Sequence, residues 1–374
     1  MPADRRTRIS FELYISEGNI VPLKQVFPSP ILFVCPRCKG PLASTAQKHA
    51  CSQCAREYPV ICGIPDFRLE PDPYISIDDD RGKGEVLAHE GERRRFEDVL
   101  RHYYAVTPED PPDLAARWIA HSLEGVAIAE SLLRDSRVGP GSGRGSEALL
   151  DVGCSTGALL IAARQSYPVL VGVDVAFRWL VVGQVRLRDA GVQATLVCAN
   201  AEHLPFPDGS FQAVTCTDTL EHVHDARLTV GEISRVSSAR SAVVCTANNR
   251  YAPLPEPNIH LWGIGYLPRS WQAAYVAARR DDLHRYRVCL RSARELARLF
   301  RAAGYRNIRV EPAPLSAPHG KNRALQRCIA LYNVLRTQPL IRQVLTMAGP
   351  RLRVTAERLP LGAAEASSSS WSRS

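Results

Sequence analysis

The sequence predicts an α/β protein, a seven-stranded sheet with helices on both faces, preceded by a small cysteine-rich module. Three observations carry this. The apolar run Ala148 to Val152 breaks into Gly153-Cys154-Ser155-Thr156-Gly157 and then into Ala158 to Arg164, which reads as buried strand, tight loop and helix. From there on, apolar runs alternate with helical patterns, as strands joined by crossover helices do. Upstream, Cys35-Pro36-Arg37-Cys38 and Cys51-Ser52-Gln53-Cys54 are separated by twelve residues.

Composition fits this plan. A chain of 374 residues has room for one large core and a small module. Hydrophobic content of 45% with 23% charged residues is ordinary for a globular protein. The net charge of +9 rests on 47 basic residues, only five of them lysine, and charge alone does not choose between nucleic acid and an anionic surface as partner. No apolar run is long enough for a spanning helix. The start, Met1-Pro2-Ala3-Asp4-Arg5-Arg6, lacks the apolar core of a signal peptide, so a cytoplasmic location is expected.

In chain order, residues 1–30 are an N-terminal extension. Over 31–70, Cys35, Cys38, Cys51 and Cys54 supply four thiolates at tetrahedral spacing. So short a segment has too little apolar surface to fold without metal, which predicts a zinc ribbon with structural zinc. Residues 71–92, acidic and then glycine-containing, read as a linker. Arg94 to Tyr104 and Pro112 to Leu133 show helical periodicity and form a helical cap over 93–137, and Gly139 to Gly145 reads as a flexible connector. Strands are expected near 148–152, 169–173, 194–198, 212–217, 241–246, 306–312 and 351–357, in a parallel sheet. A lid rich in Pro, Gly and aromatics covers 248–270, and residues 359–374 look disordered. The helical insertion 322–348 has Leu325, Cys328, Ile329, Tyr332 and Leu335, then Leu340, Ile341, Val344 and Leu345, at helical spacing among arginines. Basic amphipathic helices of this kind suit an anionic membrane interface, whereas packing on the domain would serve the same pattern.

Ligand chemistry gathers at two strand ends. Gly153 and Gly157 let the backbone approach a ligand closely. Asp174, twenty-one residues after Gly153, ends the next apolar run, where a carboxylate can accept from both hydroxyls of a ribose. Together they predict an adenosine site. The loop also spells G-x-S-x-G, a nucleophile elbow, but that elbow follows earlier strands of its sheet and here the sheet starts at 148. A nicotinamide site would want a third glycine where Leu160 stands.

Asp151 to Gly157, Val171-Gly172-Val173-Asp174, Asn200 to Phe211 and Thr219-Leu220-Glu221-His222-Val223 resemble, in order and spacing, the S-adenosylmethionine-dependent methyltransferases of the Rossmann-like class. The resemblance implies S-adenosylmethionine as cofactor, held by Asp151, Gly153, Ser155, Gly157, Asp174, Asn200, Ala201 and Glu202. Ser155 stands where the family usually has its middle glycine, and Asn200 where aspartate is commoner. Tyr58-Pro59-Val60-Ile61-Cys62-Gly63-Ile64-Pro65 resembles the Y-P-I-x-x-G-I-P close of the small zinc-ribbon family that activates methyltransferases, with Cys62 in its variable part. In related methyltransferases the helices before the first strand cap the cofactor, which implies that Tyr103 and Tyr104 line the methyl-transfer chamber.

Methyl transfer from a sulfonium is an in-line displacement, so the protein must align the acceptor, exclude water and, for a hydroxyl, remove a proton. His222, His260 in the lid and Tyr104 are the candidate catalytic residues. An Asn/Asp-Pro-Pro-Tyr motif is missing after the fourth strand, which argues against adenine chemistry. The expectation is O-methylation of a small-molecule, lipid or glycan acceptor, with peripheral contact at the inner face of the membrane through 322–348. The alternatives are an rRNA or tRNA base methyltransferase gripping RNA with its ribbon, and a non-catalytic partner protein.

Overall fold

The structure, a computed structural model, describes residues 31–107, 112–134, 136, 138, 148–256, 259–279, 288–316 and 323–358. The expected extension 1–30, connector 139–145 and tail 359–374 lie outside these. Four short strands open the described chain: β1 (Leu42–Ser44), β2 (Lys48–Cys51), β3 (Glu57–Ile61) and β4 (Ile64–Pro65), antiparallel in that order. The larger sheet contains β5 (Ala148–Val152), β6 (Val169–Asp174), β7 (Thr195–Cys198), β8 (Phe211–Thr217), β9 (Ser237–Asn248), β10 (Tyr305–Pro312) and β11 (Arg351–Arg358), in the order β10-β11-β9-β8-β5-β6-β7.

All seven expected strands form, but the sheet is mixed rather than parallel. β11 runs antiparallel to both neighbours, because the chain that leaves β10 at Pro312 re-enters beside it, with Pro312 opposite Leu352. The helices that close this turn, α9 (Arg323–Leu335) and α10 (Pro339–Ala348), are the expected insertion. One face of the sheet is covered by α6 (Ala226–Val236) and α8 (Ala293–Ala302) through Val230, Ile233, Leu296 and Phe300. The other is covered by α1 (Ile77–Gly91), α2 (Phe96–Ala105), α3 (Pro112–Arg134), α4 (Ala158–Ala163) and α5 (Phe177–Asp189). The remaining helix, α7 (Arg269–Ala277), follows the lid. No described helix is long and apolar enough to cross a membrane.

Residues 71–92, expected as a linker, instead contain α1. Ser76 caps it by accepting from Asp79 N, and Asp78, Asp79 and Asp80 in its first turn complement the positive helix terminus. Gly84 is a packing residue rather than a hinge: a Cβ there would lie 2.4 Å from the Phe177 ring. Acids and glycines that suggested solvent therefore mark a helix start and a close helix contact.

The cysteine module is built onto the sheet. Phe67 N donates to Cys198 O at 2.7 Å, so the chain leaving β4 runs beside the end of edge strand β7. Val34 N donates to Pro205 O, and Lys39 pairs with Glu232 at 2.7 Å. Tyr58 and Phe67 share one continuous apolar cluster with Val197, Leu204 and Phe206. Module and sheet thus bury a common core.

Candidate active site

A cavity of about 1210 Å³ opens at the carboxyl ends of β5, β6, β7 and β8, the edge at which open α/β sheets bind ligands. Asp151, Gly153, Ser155, Asp174, Asn200, Ala201, Glu202, Tyr103, Tyr104 and His222 all contribute to its wall. Gly157 and His260 do not.

The loop after β5 shows why its residues are small. Gly153 has φ +76°, and a Cβ there would meet Thr219 Oγ1 at 2.0 Å, so both backbone and space demand glycine. Gly157, also left-handed at φ +74°, serves the turn as the N-cap of α4. Ser155 adopts φ +46° with its N–H 2.8 Å from Asp174 Oδ2. Its backbone is therefore the working part. Among the described residues no histidine hydrogen-bonds its hydroxyl, as a nucleophile elbow would need.

Asp174 accepts from Ser155 N and, at 2.9 Å, from Ala176 N. Burial pushes its carboxyl up to about 6 against these two bonds. Asp151, 1% exposed, accepts from Thr215 Oγ1 at 2.8 Å, and burial, with Asp174 nearby, raises it to about 7. A cationic ligand group would favour its ionised form. Arg186 answers it with the opposite sign: buried, bonded to Thr156 Oγ1 and Ser122 O, and lowered to about 10 by burial. Such a guanidinium could hold a ligand carboxylate. Nothing in the loop motif announced it.

Asn200 is in the wall as expected, but its hydrogen bonds face the cysteine module. Oδ1 accepts from Leu69 N at 2.9 Å and Glu70 N at 3.1 Å, and Nδ2 donates to Glu70 O at 3.1 Å. Only an amide does both. An aspartate here would lack the donor to Glu70 O. Glu202 is engaged too, accepting from His224 N and Asp225 N.

Beyond Asp174 the cavity wall turns aromatic. Tyr104 lies within 6.0 Å of the rings of Tyr103, Trp118 and Trp179. On α3, Trp118, His121, Ser122, Gly125 and Ala129 line the cavity at spacings of three and four residues. That periodicity was in the sequence, where it read only as a cap helix. His222 also lines the cavity, half-buried, its pKa lowered by burial although Asp218 works against this. A neutral imidazole there can take a proton. Arg351 and Asp218, which pair with each other, complete this end. His260 is turned outward: Glu256 Oε2 holds Ile259 N, His260 follows at φ +55°, and its exposed ring lies against Arg117.

Among the described residues, Cys35, Cys38, Cys51 and Cys54 form one candidate metal group, their sulfurs all within 4.8 Å of one another. Cys35 to Cys54 is 3.6 Å and Cys38 to Cys51 is 3.5 Å. These separations fit a tetrahedral thiolate site, whose edges are about 3.8 Å for a metal–sulfur bond of about 2.3 Å.

A Rossmann-like sheet with a glycine turn after its first strand, a carboxylate ending the second and an aromatic chamber beside them defines a nucleotide-cofactor group-transfer enzyme. A model described as "Methyltransferase domain" matches residues 150–245. Demethylmenaquinone methyltransferase of Anoxybacillus flavithermus is 30% identical over 179 residues, 45% of this chain and 73% of that protein. Ubiquinone biosynthesis O-methyltransferase of Azoarcus sp. is 30% identical over 140 residues, 37% of this chain and 60% of that one. Solved structures with a similar fold include Haemonchus contortus phosphoethanolamine N-methyltransferase 2 with S-adenosyl-L-methionine (16% identity, TM-score 0.41, 64% of this chain and 53% of that one). Another is the Haloferax volcanii complex of the Trm112 methyltransferase activator with a putative methyltransferase (15% identity, TM-score 0.40, 72% and 99%). The chain belongs to the S-adenosylmethionine-dependent methyltransferase family, carrying a zinc-ribbon-like cysteine cluster at its N-terminal end.

Proposed function

We propose that this enzyme transfers a methyl group to a hydroxyl of an apolar, ring-bearing small molecule. The carrying observation is that one cavity is lined by Asp174, by the aromatic residues Tyr104, Trp118 and Trp179, and by His222. Relatives named for demethylmenaquinone and ubiquinone biosynthesis support a hydroxylated, lipid-soluble ring as the acceptor class.

Bound S-adenosylmethionine supplies an electrophilic methyl group. Asp174 would accept from the ribose hydroxyls, and Asp151 and Arg186 would hold the ammonium and carboxylate of the amino-acid end. Gly153 and Ser155 give the close backbone. The aromatic wall would hold the acceptor ring and keep water away, and His222 would take the hydroxyl proton as the methyl group passes from sulfur to oxygen. Tyr104 shapes the wall rather than moving the proton.

We also infer a structural zinc on the four cysteines, which would make the ribbon a built-in support of the cofactor site through the Leu69–Asn200–Glu70 bonds. An enzyme with such an acceptor would work in the cytoplasm, peripheral to the membrane's inner face.

The test is methyl transfer from labelled S-adenosylmethionine to a water-soluble dihydroxynaphthalene, the product located by mass spectrometry. Methyl on oxygen is expected. His222→Asn should lower kcat roughly 10²- to 10⁴-fold while leaving S-adenosylhomocysteine affinity unchanged. Methyl on a ring carbon would overturn the oxygen assignment, and an unaffected His222 variant would overturn the role of His222 as base.

A further inference from the structure

We infer that the α9–α10 hairpin and the outer side of the lid form a docking surface for an anionic membrane. This deepens the acceptor reading, since a lipid-soluble acceptor would enter from such a surface. Both helices are apolar on two sides. The inner side packs: Tyr332 Oη donates to Ala313 O and Asn333 Nδ2 to Leu315 O, while Ile341 and Leu345 are half-buried. The outer side does not. Leu340, Val344 and Met347, at spacings of four and three on α10, are 78%, 58% and 64% exposed, and Leu331 and Val334 on α9 are 57% and 61% exposed. Packing on the domain accounts for one stripe and leaves the second facing solvent.

The lid is tethered to the end of this hairpin. Asn249 Nδ2 donates to Met347 O and Gly349 O, tying the end of α10 to the start of the lid. Two residues on, Tyr251 lies 5.9 Å from Tyr266, which stacks on Trp262 at 6.3 Å. Trp262 is 62% exposed. The lid's other side holds Ile259, which lines the cavity and packs with Ile264 and Val276. The same segment therefore shows interface-type aromatics outward and walls the acceptor chamber inward.

Charge selects the occupant. Residues 323–348 contain four arginines and no acid, of which Arg342 pairs with Glu311; in 248–279 Arg250 and Arg269 share Glu295, while Arg279 is exposed. Apolar stripes flanked by an excess of arginine over acid suit anionic phospholipid, where each cation near the surface adds attraction that salt screens.

Flotation of the full chain with phosphatidylcholine vesicles, with and without phosphatidylglycerol, decides this. Binding should require phosphatidylglycerol, weaken with salt, and fall about tenfold or more in the variant Leu340→Ser/Val344→Ser/Met347→Ser, removing three interface side chains. That variant should keep wild-type affinity for S-adenosylhomocysteine, showing it is folded. Absence of flotation by wild-type protein that binds S-adenosylhomocysteine would overturn the proposal. So would flotation unchanged in the triple variant, or a wild-type dimer in light scattering that the variant abolishes, which would make a second copy the occupant. No acceptor enters this experiment and no vesicle enters the dihydroxynaphthalene assay, so the two readings fail separately.

Discussion

Asp174, in the proposed cofactor site, is both held by hydrogen bonds and costly to ionise. Replacing it with alanine should weaken S-adenosylhomocysteine binding by about 1.5–3 kcal/mol, the worth of hydrogen bonds to a charged group, with the fold intact by circular dichroism. Because burial raises its carboxyl to about 6, and only the carboxylate accepts from both hydroxyls, affinity should be full above that pH and fall as pH drops through it. Calorimetry across pH 5–8 shows whether this midpoint exists and disappears in the Asp174→Ala variant. Glu221 works in the other direction. Wholly buried, it accepts from Asn248 N and Nδ2, and burial, with Asp218 nearby, raises its carboxyl from 4.5 to about 8. The native state holds that proton while the unfolded chain releases it, so stability is full below about 4.5 and is lost as pH rises toward about 8. E221Q should show a shallower decline than wild type in urea midpoints over this range; an identical slope would refute the assignment. Asp174 and Gly153 were legible in the sequence because each satisfies a local rule, strand end or forced φ. Glu221's burial and Arg186's reach to Thr156 were not, since they depend on which elements come together.

At the scale of elements, the ribbon's exit and α1 are joined to the cofactor site by a buried ionic cluster. Arg68 bridges Asp66 and Asp80 at 2.7 Å each, Arg178 bridges Asp80 and Asp72, and Asp80 Oδ2 also accepts Phe177 N at the start of α5. With Arg81 on Asp66, three cations meet three anions. Breaking such a cluster strands charges, so Arg68→Met should cost about 3–5 kcal/mol in urea unfolding; a loss under about 1 kcal/mol would mean the cluster contributes no more than surface pairs. Asn200→Asp, although it installs the family's commoner residue, should destabilise by about 1–3 kcal/mol because Glu70 O loses its donor. It should weaken S-adenosylhomocysteine as well. Strand positions were readable from apolar runs flanked by turns, whereas α1 was hidden by Gly84 and Asp78 to Asp80, whose meaning comes from Phe177 and the helix terminus. The reversal of β11 had no local signal at all.

For the whole molecule, the sequence's division into ribbon, linker and catalytic domain gives way to one body in which Phe67 and Tyr58 share a core with the sheet. The two Cys-x-x-Cys pairs and the four methyltransferase motifs were visible because their spacing is local, but their union across β7 was not. One zinc per chain is expected by elemental analysis. Cys51→Ser should lower both metal content and cofactor affinity, and loss of metal with affinity unchanged would separate the ribbon from the site. On the function proposed above, this joined body methylates a small lipid-soluble acceptor. The most direct measurement is transfer of label from S-adenosylmethionine into a cell extract, followed by separation of RNA from solvent-extractable small molecules. Label should enter the solvent-extractable pool with wild-type protein and be lost with Asp174→Ala. Label recovered in RNA, dependent on Asp174, would contradict the claim and make the ribbon an RNA grip.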